Sequence, residues 1–214
     1  MNQQKSEFIS WCLEMGVLQF GEFELKSGRI SPYFFNASAF KTGEELTKLA
    51  HFYVEAILES QIEFDGLFGP AYKGIPLGTA VAQYLWNNYQ FNKTVTFNRK
   101  EAKNHGEGGI LFGSPLPPRV FIIDDVVTAG TAIREAIKII RANGSQVVGV
   151  AVVIDRQEKG LDERSAIQAL QEDEGIPVVP IISFSDIIMY LNEQQKSSEL
   201  KSMESYRKLY GVRS

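Results

Sequence analysis

Cysteine and histidine are scarce in this chain of 214 residues, which has one cysteine and two histidines. The single Cys12 allows no disulfide within the chain, and this is typical of proteins from a reducing cytosol. The sequence also has no set of Cys and His residues at zinc-binding spacing and no Ser-His-Asp arrangement. Cys12 falls on the apolar side of a predicted helix over residues 6–15, so we expect it in the core and not as a nucleophile.

Long apolar runs are missing as well. The longest, residues 147–154, is far below the roughly 20 residues that a membrane-spanning helix needs. Residues 1–7 are polar and lack the pattern of a signal peptide. These features predict a soluble cytoplasmic protein with no membrane partner. Its length and its 44% content of hydrophobic residues suit one domain with a substantial core.

An excess of positive charge is the third absence, because the net charge is −4. A nucleic-acid-binding protein would be expected to carry a basic face, so nucleic acid is excluded as a predicted partner. An anionic substrate would have to be attracted by local positive side chains and not by the field of the whole protein.

The common nucleotide-binding motifs are also absent, but another anion-binding pattern is present. The chain has no G-x-x-x-x-G-K-[ST] and no G-x-G-x-x-G. Residues 120–131 read Val-Phe-Ile-Ile-Asp-Asp-Val-Val-Thr-Ala-Gly-Thr, a buried strand, two acids and a loop of small residues. A helix follows over 132–142. Free backbone N–H groups and a positive dipole end at such a helix start favour a phosphate.

Asp124 and Asp125 would repel a phosphate, so their position beside a phosphate-binding loop requires an explanation. Magnesium or sugar hydroxyls provide that explanation, because both bind carboxylate oxygens. The motif therefore predicts a sugar phosphate accompanied by Mg²⁺. Alone, an acidic pair after a strand is as often an ordinary solvated strand end.

Strands and helices alternate through most of the chain. Strands are predicted at 64–68, 95–98, 120–123, 147–154 and 178–184, with helices at 43–58, 75–87, 132–142 and 164–174 and another from Ser185. This order predicts an α/β fold with a parallel sheet flanked by helices, and ligands at the carboxyl ends of its strands. Residues 99–113 are predicted to be a charged, glycine-rich excursion, and the chain after Gln194 a surface helix.

The chain resembles the type I phosphoribosyltransferases, and among them the bacterial orotate phosphoribosyltransferases. Residues 120–131 match their signature for phosphoribosyl pyrophosphate (PRPP). The other matching segments follow in the same order over nearly the whole chain: 26–29, 31–36, 69–76, 99–108 and 155–158. The resemblance implies transfer of phosphoribose from PRPP to N1 of orotate, giving orotidine 5-monophosphate and pyrophosphate with Mg²⁺ as cofactor, in pyrimidine (UMP) biosynthesis.

The resemblance also implies the roles of individual residues. Those implied to be catalytic are Lys73, Arg99, Lys103, His105, Asp124 and Asp125. PRPP is implied to contact these residues and also Lys26, Tyr72, Lys100, Val126, Val127, Thr128, Ala129, Gly130, Thr131 and Ala132. Orotate is implied to contact Lys26, Phe34, Phe35, Thr128 and Arg156. Mg²⁺ would be held mainly by PRPP, with the two Asp residues nearby. Either His105 or Lys103 would donate a proton.

Two segments are expected to act as units within one domain of residues 1–214. Residues 1–40 would form a small N-terminal hood over the base, and residues 99–110 a mobile lid. From the residues alone, 99–109 is more often a solvated loop. The resemblance implies a homodimer in which the lid of one subunit closes over the active site of the other.

Lys73 lies in a glycine-bracketed loop after a predicted strand, and no carboxylate is adjacent to it in sequence. We therefore expect its charge to serve pyrophosphate and not the fold. Two rival functions remain. One is a phosphoribosyltransferase for a purine or uracil, against which Phe34, Phe35 and Arg156 argue. The other is a regulator that only senses PRPP, which would need no charged lid.

Overall fold

A computed structural model describes residues 1–25, 27–103, 109–127, 130–160 and 163–212, without the side chains of 102 and 103. Within these residues the helices are α1 (Gln3–Glu14), α2 (Gly43–Glu59), α3 (Gly74–Tyr89), α4 (Thr131–Ala142), α5 (Ala166–Glu174), α6 (Phe184–Glu193) and α7 (Ser197–Tyr210). The strands are β1 (Leu18–Glu24), β2 (Ile30–Phe35), β3 (Gly66–Gly69), β4 (Thr94–Lys103), β5 (Gly109–Gly113), β6 (Arg119–Ile123), β7 (Gln146–Asp155) and β8 (Val178–Ser183).

The main sheet has the strand order β5-β4-β3-β6-β7-β8. Strands β4, β3, β6, β7 and β8 pair in parallel, and β5 pairs antiparallel to β4 at the edge. The predicted parallel sheet flanked by helices is therefore confirmed, with one antiparallel strand added. The parallel order brings the ends of β3, β6 and β7 to one edge, where ligands bind in such sheets.

Apolar side chains cover both faces of the sheet. In β7, Ala151 and Val153 belong to one core cluster, and Val150 and Val152 belong to the other. This alternation explains the nearly continuous apolar run in the sequence, since a strand buried on both faces has no polar side. Helix α4 contributes the stripe that its spacing predicts, Ile133, Ala136, Ile137 and Ile140, all of them buried.

The N-terminal part is a separate small unit of secondary structure. Strands β1 and β2 form an antiparallel two-stranded sheet, and α1 buries Phe8, Ile9, Trp11 and Cys12. The core position of Cys12 is thus confirmed, and burial raises the pKa of its thiol. A short 3-10 helix, Ala37–Ala39, leads to α2, where Thr42 and Glu45 form a capping box.

The sequence prediction for residues 99–113 was wrong in part. The charged excursion consists of two strands over its described residues, because β4 continues to Lys103 and β5 begins at Gly109. Their register pairs Asn98 with Leu111 and Lys103 with Gly109. The charged residues of β4 from Arg99 onward have no apolar pattern, and the three apolar residues of β5, Ile110 to Phe112, are too few to indicate a strand.

Helix α7 confirms the helix that was predicted after Gln194. It is more than a surface element, since Met203 and Tyr206 are buried against the rest of the protein. Among the described residues, no helix has the length and apolar character needed to cross a membrane.

Candidate functional site

Asp124 and Asp125 lie at the carboxyl end of β6, as predicted. The carboxylate of Asp124 accepts a hydrogen bond from the backbone N–H of Asp125 at 2.9 Å. Its backbone carbonyl accepts one from the hydroxyl of Tyr53 at 2.7 Å. Val126 then bridges to Ile154 on β7, and Val127 is buried. The acidic pair is thus fixed from both sides on a rigid strand end.

Burial dominates the electrostatics of Asp124. The residue is only 7% exposed. Loss of hydration and the neighbouring charge of Asp125 raise the pKa of Asp124 to about 7, while the Asp125 amide and Lys73 act in the opposite direction. A carboxyl in this state is close to half protonated near neutral pH. A nearby cation or a hydrogen-bond donor would favour its ionised form.

Lys73 has a carboxylate partner that is distant in the sequence. Its Nζ atom lies 2.5 Å from Oδ2 of Asp125. The two residues are 52 positions apart, so the absence of an adjacent acid in the sequence said nothing about this pair. Lys73 stays accessible, because 55% of its side chain is exposed. The ion pair places its ammonium beside the acidic pair, close enough to lower the pKa of Asp124.

The start of α4 has the geometry that the phosphate motif requires. Gly130, the residue before the helix, has a φ of +70° and carries no side chain that could cap the first turn. Thr131 and Ala132 are exposed at this helix start. Thr128 and Ala129, which were also predicted to bind PRPP, lie outside the described residues. The first-turn N–H groups therefore remain suited to an anion.

Two glycines allow the loop that carries Tyr72 and Lys73 to pack closely. A Cβ atom on Gly69 would lie 2.2 Å from the carbonyl oxygen of Gly74, and one on Gly74 would lie 2.8 Å from that of Ile123. The loop is tied to β4 by a 3.0 Å hydrogen bond from the Ala71 N–H to Oδ1 of Asn98. The Ala71–Tyr72 peptide bond is cis. Close packing thus sets the ends of β3 and β6 side by side.

Part of the predicted lid lies next to this loop. The ammonium of Lys100 sits 5.0 Å from the ring centre of Tyr72, a side chain that is exposed. Arg99 instead turns toward β5, donating to the carbonyl of Leu111 at 2.9 Å and stacking on Phe112. The side chain of Lys103 and all of His105 lie outside the described residues. Lys100 therefore lies beside Tyr72, the residue before Lys73, and Arg99 is engaged within the hairpin.

Of the predicted base-binding residues, Arg156 lies over Tyr33, while Phe34 and Phe35 point to opposite faces of β2. Phe35 is buried in the core, while Phe34 is 39% exposed and packs beside Phe23. One of the two aromatics therefore packs inward and the other stays accessible. The guanidinium of Arg156, at the end of β7, lies 4.7 Å over the ring of Tyr33. The hairpin and β7 therefore approach each other, while Lys26 is outside the described residues.

The predicted site residues that the structure describes thus lie along the carboxyl edge of the main sheet, in two groups. One group contains Lys73, Asp124, Asp125 and the start of α4, and the other contains Phe34, Tyr33 and Arg156. Sequence reasoning assigned no role to Tyr53, Asn98 or Glu158, although their contacts support the loops of this edge. For Glu158, one indication of a role was present in the sequence: it lies in segment 155–158, which matches the phosphoribosyltransferase family.

Comparison with known proteins gives a consistent result over the full chain. The family model described as a phosphoribosyl transferase domain matches residues 36–184. An orotate phosphoribosyltransferase from Thioalkalivibrio sulfidiphilus is 56% identical over 213 residues, covering 99% of this chain and 100% of that protein. One from Photobacterium profundum is 53% identical over the same length and coverage.

A solved structure shows the same architecture. The 1.9 Å crystal structure of orotate phosphoribosyltransferase from Francisella tularensis is 41% identical, with a TM-score of 0.89. The match covers 96% of this chain and 100% of that one. The similarity therefore extends across the N-terminal hairpin, the main sheet and the C-terminal helices.

Proposed function

The chain belongs to the phosphoribosyl transferase family with the activity of an orotate phosphoribosyltransferase in pyrimidine biosynthesis, and we propose that the described edge binds both substrates. PRPP would lie over Lys73, Asp124, Asp125 and the start of α4. Orotate would lie between the N-terminal hairpin, within the hood of residues 1–40, and Arg156. The observation that carries this proposal is the acidic pair set between an uncapped helix start and an accessible lysine.

Each part of PRPP has a matching chemical group in the chain. The 5-phosphate suits the N–H groups at the start of α4, and the residues from Val126 to Ala132 are proposed to contact it. The ribose hydroxyls suit the two carboxylates, which accept hydrogen bonds. The pyrophosphate suits Lys73, whose ammonium would leave Asp125 for a group of greater negative charge. Lys26, Tyr72, Arg99, Lys100, Lys103 and His105 are the further residues proposed to contact PRPP.

The residues present fit Mg²⁺ held mainly by the substrate. The described residues contain no group of three or more His, Cys, Asp or Glu side chains that would hold a metal alone. Two carboxylates at a phosphate site are the usual protein contribution to bound Mg²⁺. Asp124 and Asp125 would hold it, directly or through water. When bound, the ion neutralises charge on the pyrophosphate leaving group.

Orotate recognition follows from the other group of residues at this edge. Phe34 and Phe35 are the aromatics proposed to contact the base. Phe34 is exposed and offers a ring that suits a planar pyrimidine, whereas Phe35 is buried on the opposite face of β2. Arg156 offers N–H donors to the carboxylate or a ring oxygen. Lys26 and Thr128 are the other residues proposed to contact the base. A purine has no carboxylate to match the guanidinium, so orotate is the base that this pair of features favours.

Catalysis would be mainly electrostatic. Negative charge grows on pyrophosphate as its bond to the sugar breaks, and N1 of orotate takes its place with inversion at the anomeric carbon. Lys73, with Arg99, Lys103 and His105 of the lid, would stabilise that charge, and His105 or Lys103 would donate a proton. The lid of residues 99–110 would exclude water, acting across a homodimer in the cytoplasm.

A spectrophotometric assay tests the function. Orotate absorbance should fall after addition of the purified chain with PRPP and Mg²⁺, and pyrophosphate should appear in equal amount. A panel of uracil, adenine and guanine in place of orotate is the control for base specificity. Faster turnover with any of these bases would contradict the proposed base site, and PRPP binding without turnover of any base would indicate a PRPP-sensing regulator.

Metal removal tests the role of the acidic pair. Excess chelator should abolish the reaction, because the carboxylates and the pyrophosphate would then repel each other without a cation between them. Addition of Mg²⁺ beyond the chelator should restore it, and circular dichroism should remain constant throughout. Full turnover without any divalent ion would remove Mg²⁺ from the mechanism.

A further inference from the structure

Glu158 holds the guanidinium of Arg156 in one orientation. Its Oε1 atom accepts hydrogen bonds from Nε of Arg156 at 3.1 Å and from Nη2 at 2.7 Å. The hydroxyl of Tyr33 donates to the same oxygen at 3.4 Å. The ring of Tyr33 lies 4.7 Å beneath the guanidinium and so limits its tilt. One edge and one face of the guanidinium are thus occupied by protein groups.

The opposite edge of the guanidinium is left for a ligand. Among the described residues, Nη1 of Arg156 makes no hydrogen bond. Because the guanidinium is planar, fixing Nε and Nη2 also fixes the direction in which the remaining N–H groups point. The side chains of Arg156 and Glu158 are only 21% and 14% exposed, so solvent competes little with their bonds.

The backbone that carries Glu158 is itself held on both sides. Glu158 forms an antiparallel bridge with Gly211, and the Lys159 N–H donates to the Tyr210 carbonyl at 2.8 Å. On the other side, Arg29 donates to the Lys159 carbonyl at 3.0 Å. The chain just after α7 therefore supports the segment behind Arg156. This contact explains why a helix remote from the Asp pair belongs to the compact structure.

Gln157 anchors the turn between Arg156 and Glu158. It has a φ of +49°, a left-handed conformation that costs free energy for a residue with a side chain. Its Oε1 accepts hydrogen bonds from the N–H and the hydroxyl of Ser185, and its own N–H donates to Asp155. These bonds hold a turn that brings Glu158 back onto Arg156, two residues earlier in the chain.

We propose that Glu158 is a positioning residue for base recognition, orienting Arg156 toward the carboxylate of the pyrimidine. Tyr33 assists as the platform under the guanidinium. The inference rests on the proposed function, which assigns orotate to Arg156. Glu158 acts through Arg156 and need not touch either substrate, so its loss should affect orotate and leave PRPP unaffected.

Steady-state kinetics of the full chain tests this proposal with Glu158→Gln, Arg156→Ala and the double variant. Glu158→Gln should raise KM for orotate roughly tenfold, the effect of one lost charge-assisted hydrogen bond. The value of kcat and the KM for PRPP should change less than about threefold, since no group near the pyrophosphate moves. Glu204→Gln, on the exposed side of α7, is the matched control and should behave as the wild type.

The double variant separates positioning from a merely structural role. If Glu158 acts only through Arg156, adding Glu158→Gln to Arg156→Ala should have no further effect on KM for orotate. Additive effects, or an unchanged KM in Glu158→Gln, would overturn the proposal. An unchanged KM in Arg156→Ala would instead overturn the proposed base site.

A second variant covers the case in which Glu158→Gln does not fold. Tyr33→Phe keeps the ring under the guanidinium and removes only the hydroxyl that donates to Glu158. It should raise KM for orotate by a smaller factor than Arg156→Ala, again without a further effect in the Arg156→Ala background. If Tyr33→Phe raises KM for orotate further in the Arg156→Ala background, the proposal would be overturned, as it would be for Glu158→Gln.

Discussion

Lys73 and Asp125 show how one ion pair can serve two states of a site. In the structure, the ammonium neutralises part of the charge of the acidic pair. A bound pyrophosphate would present more negative charge and draw Lys73 away, while Mg²⁺ would take over the carboxylates. The pair therefore lowers the repulsion between Asp124 and Asp125 until substrate arrives. Since Lys73 is more than half exposed, the pair itself adds little to stability.

Replacement of Lys73 should separate catalysis from folding. Lys73→Ala should change the free energy of unfolding by about 0–1 kcal/mol, because a partly exposed ion pair contributes no more. Catalysis should fall roughly 10²–10³-fold, because a positioned cation is lost where negative charge grows. PRPP binding should weaken, and orotate affinity should change little. Thermal melts and steady-state kinetics on the purified variant measure both quantities.

Lys201→Ala is the matched control for this variant, since Lys201 is exposed on α7 far along the chain from the Asp pair. It should retain wild-type turnover and melting temperature. Near-normal turnover in Lys73→Ala, or failure of that variant to fold, would show that the assigned role of Lys73 is wrong.

Asp124 should make the stability of the ligand-free protein depend on pH. Its pKa is about 7 in the folded protein and about 3.9 in an unfolded chain. The folded state thus binds the proton more tightly, so the stabilisation is complete below about pH 4 and is lost as pH rises through about 7. Asp124→Asn should stabilise the protein at pH 8 by up to about 4 kcal/mol, and have little effect at pH 4.

Denaturant melts in chelator at several pH values measure this dependence. Asp173→Asn is a suitable control, because salt bridges to Arg164 and Arg134 lower the pKa of this exposed carboxyl. Its substitution should not stabilise the protein at pH 8. A stability difference between wild type and Asp124→Asn that does not vary with pH would contradict the raised pKa.

At the level of elements, the loop between β3 and α3 depends on two glycines that touch. Gly69→Ala should destabilise the protein by about 1–3 kcal/mol, because its Cβ would overlap the carbonyl of Gly74 and push β3 away from α3. PRPP affinity should fall with it, since the displaced loop carries Tyr72 and Lys73. Chemical denaturation and PRPP titration of the variant measure the two effects.

Gly78, in the helix α3 that packs on Gly69, provides the control. A Cβ there would meet its nearest atom at 3.5 Å, an ordinary contact. Gly78→Ala should therefore be neutral or stabilise α3 by up to about 1 kcal/mol through helix propensity. Equal destabilisation by Gly69→Ala and Gly78→Ala would show that the close contact of Gly69 is not what limits this loop.

The sequence predicted those elements whose signal lies in their own residues. The apolar stripe of α4, the acids after β6 and the capping box of Thr42 were all visible locally. The antiparallel strand β5 was missed, since Ile110, Leu111 and Phe112 form an apolar run between two glycines that is too short to indicate a strand. The pairs Lys73–Asp125 and Tyr53–Asp124 were also missed, because they join residues far apart in the chain.

At the scale of the whole molecule, lysine and arginine side chains lie among acids at the edge where the anionic substrates would bind. The net charge is −4, yet Lys73, Lys100 and Arg156 stand at the carboxyl edge of the sheet. Local attraction thus replaces a basic overall field. Arg99, however, donates a hydrogen bond to the carbonyl of Leu111 in its own hairpin. Its proposed contact with PRPP therefore requires one of two things. Either the Arg99 side chain leaves this carbonyl, or the hairpin of another subunit brings its Arg99 to the site.

Mixing two inactive variants decides between these possibilities. One variant carries Arg99→Ala and Lys103→Ala in the lid, and the other carries Asp124→Asn and Asp125→Asn. If the lid closes over the partner's site, each mixed dimer contains one site with an intact lid and an intact acidic pair. Random exchange should then restore roughly a quarter of the wild-type activity, since half of the dimers are mixed and each has one working site. Each variant alone, treated identically, is the control.

Mixed dimers confirmed by mass but without activity would show that the lid serves its own chain, and the turn of Arg99 toward β5 would then describe the working arrangement.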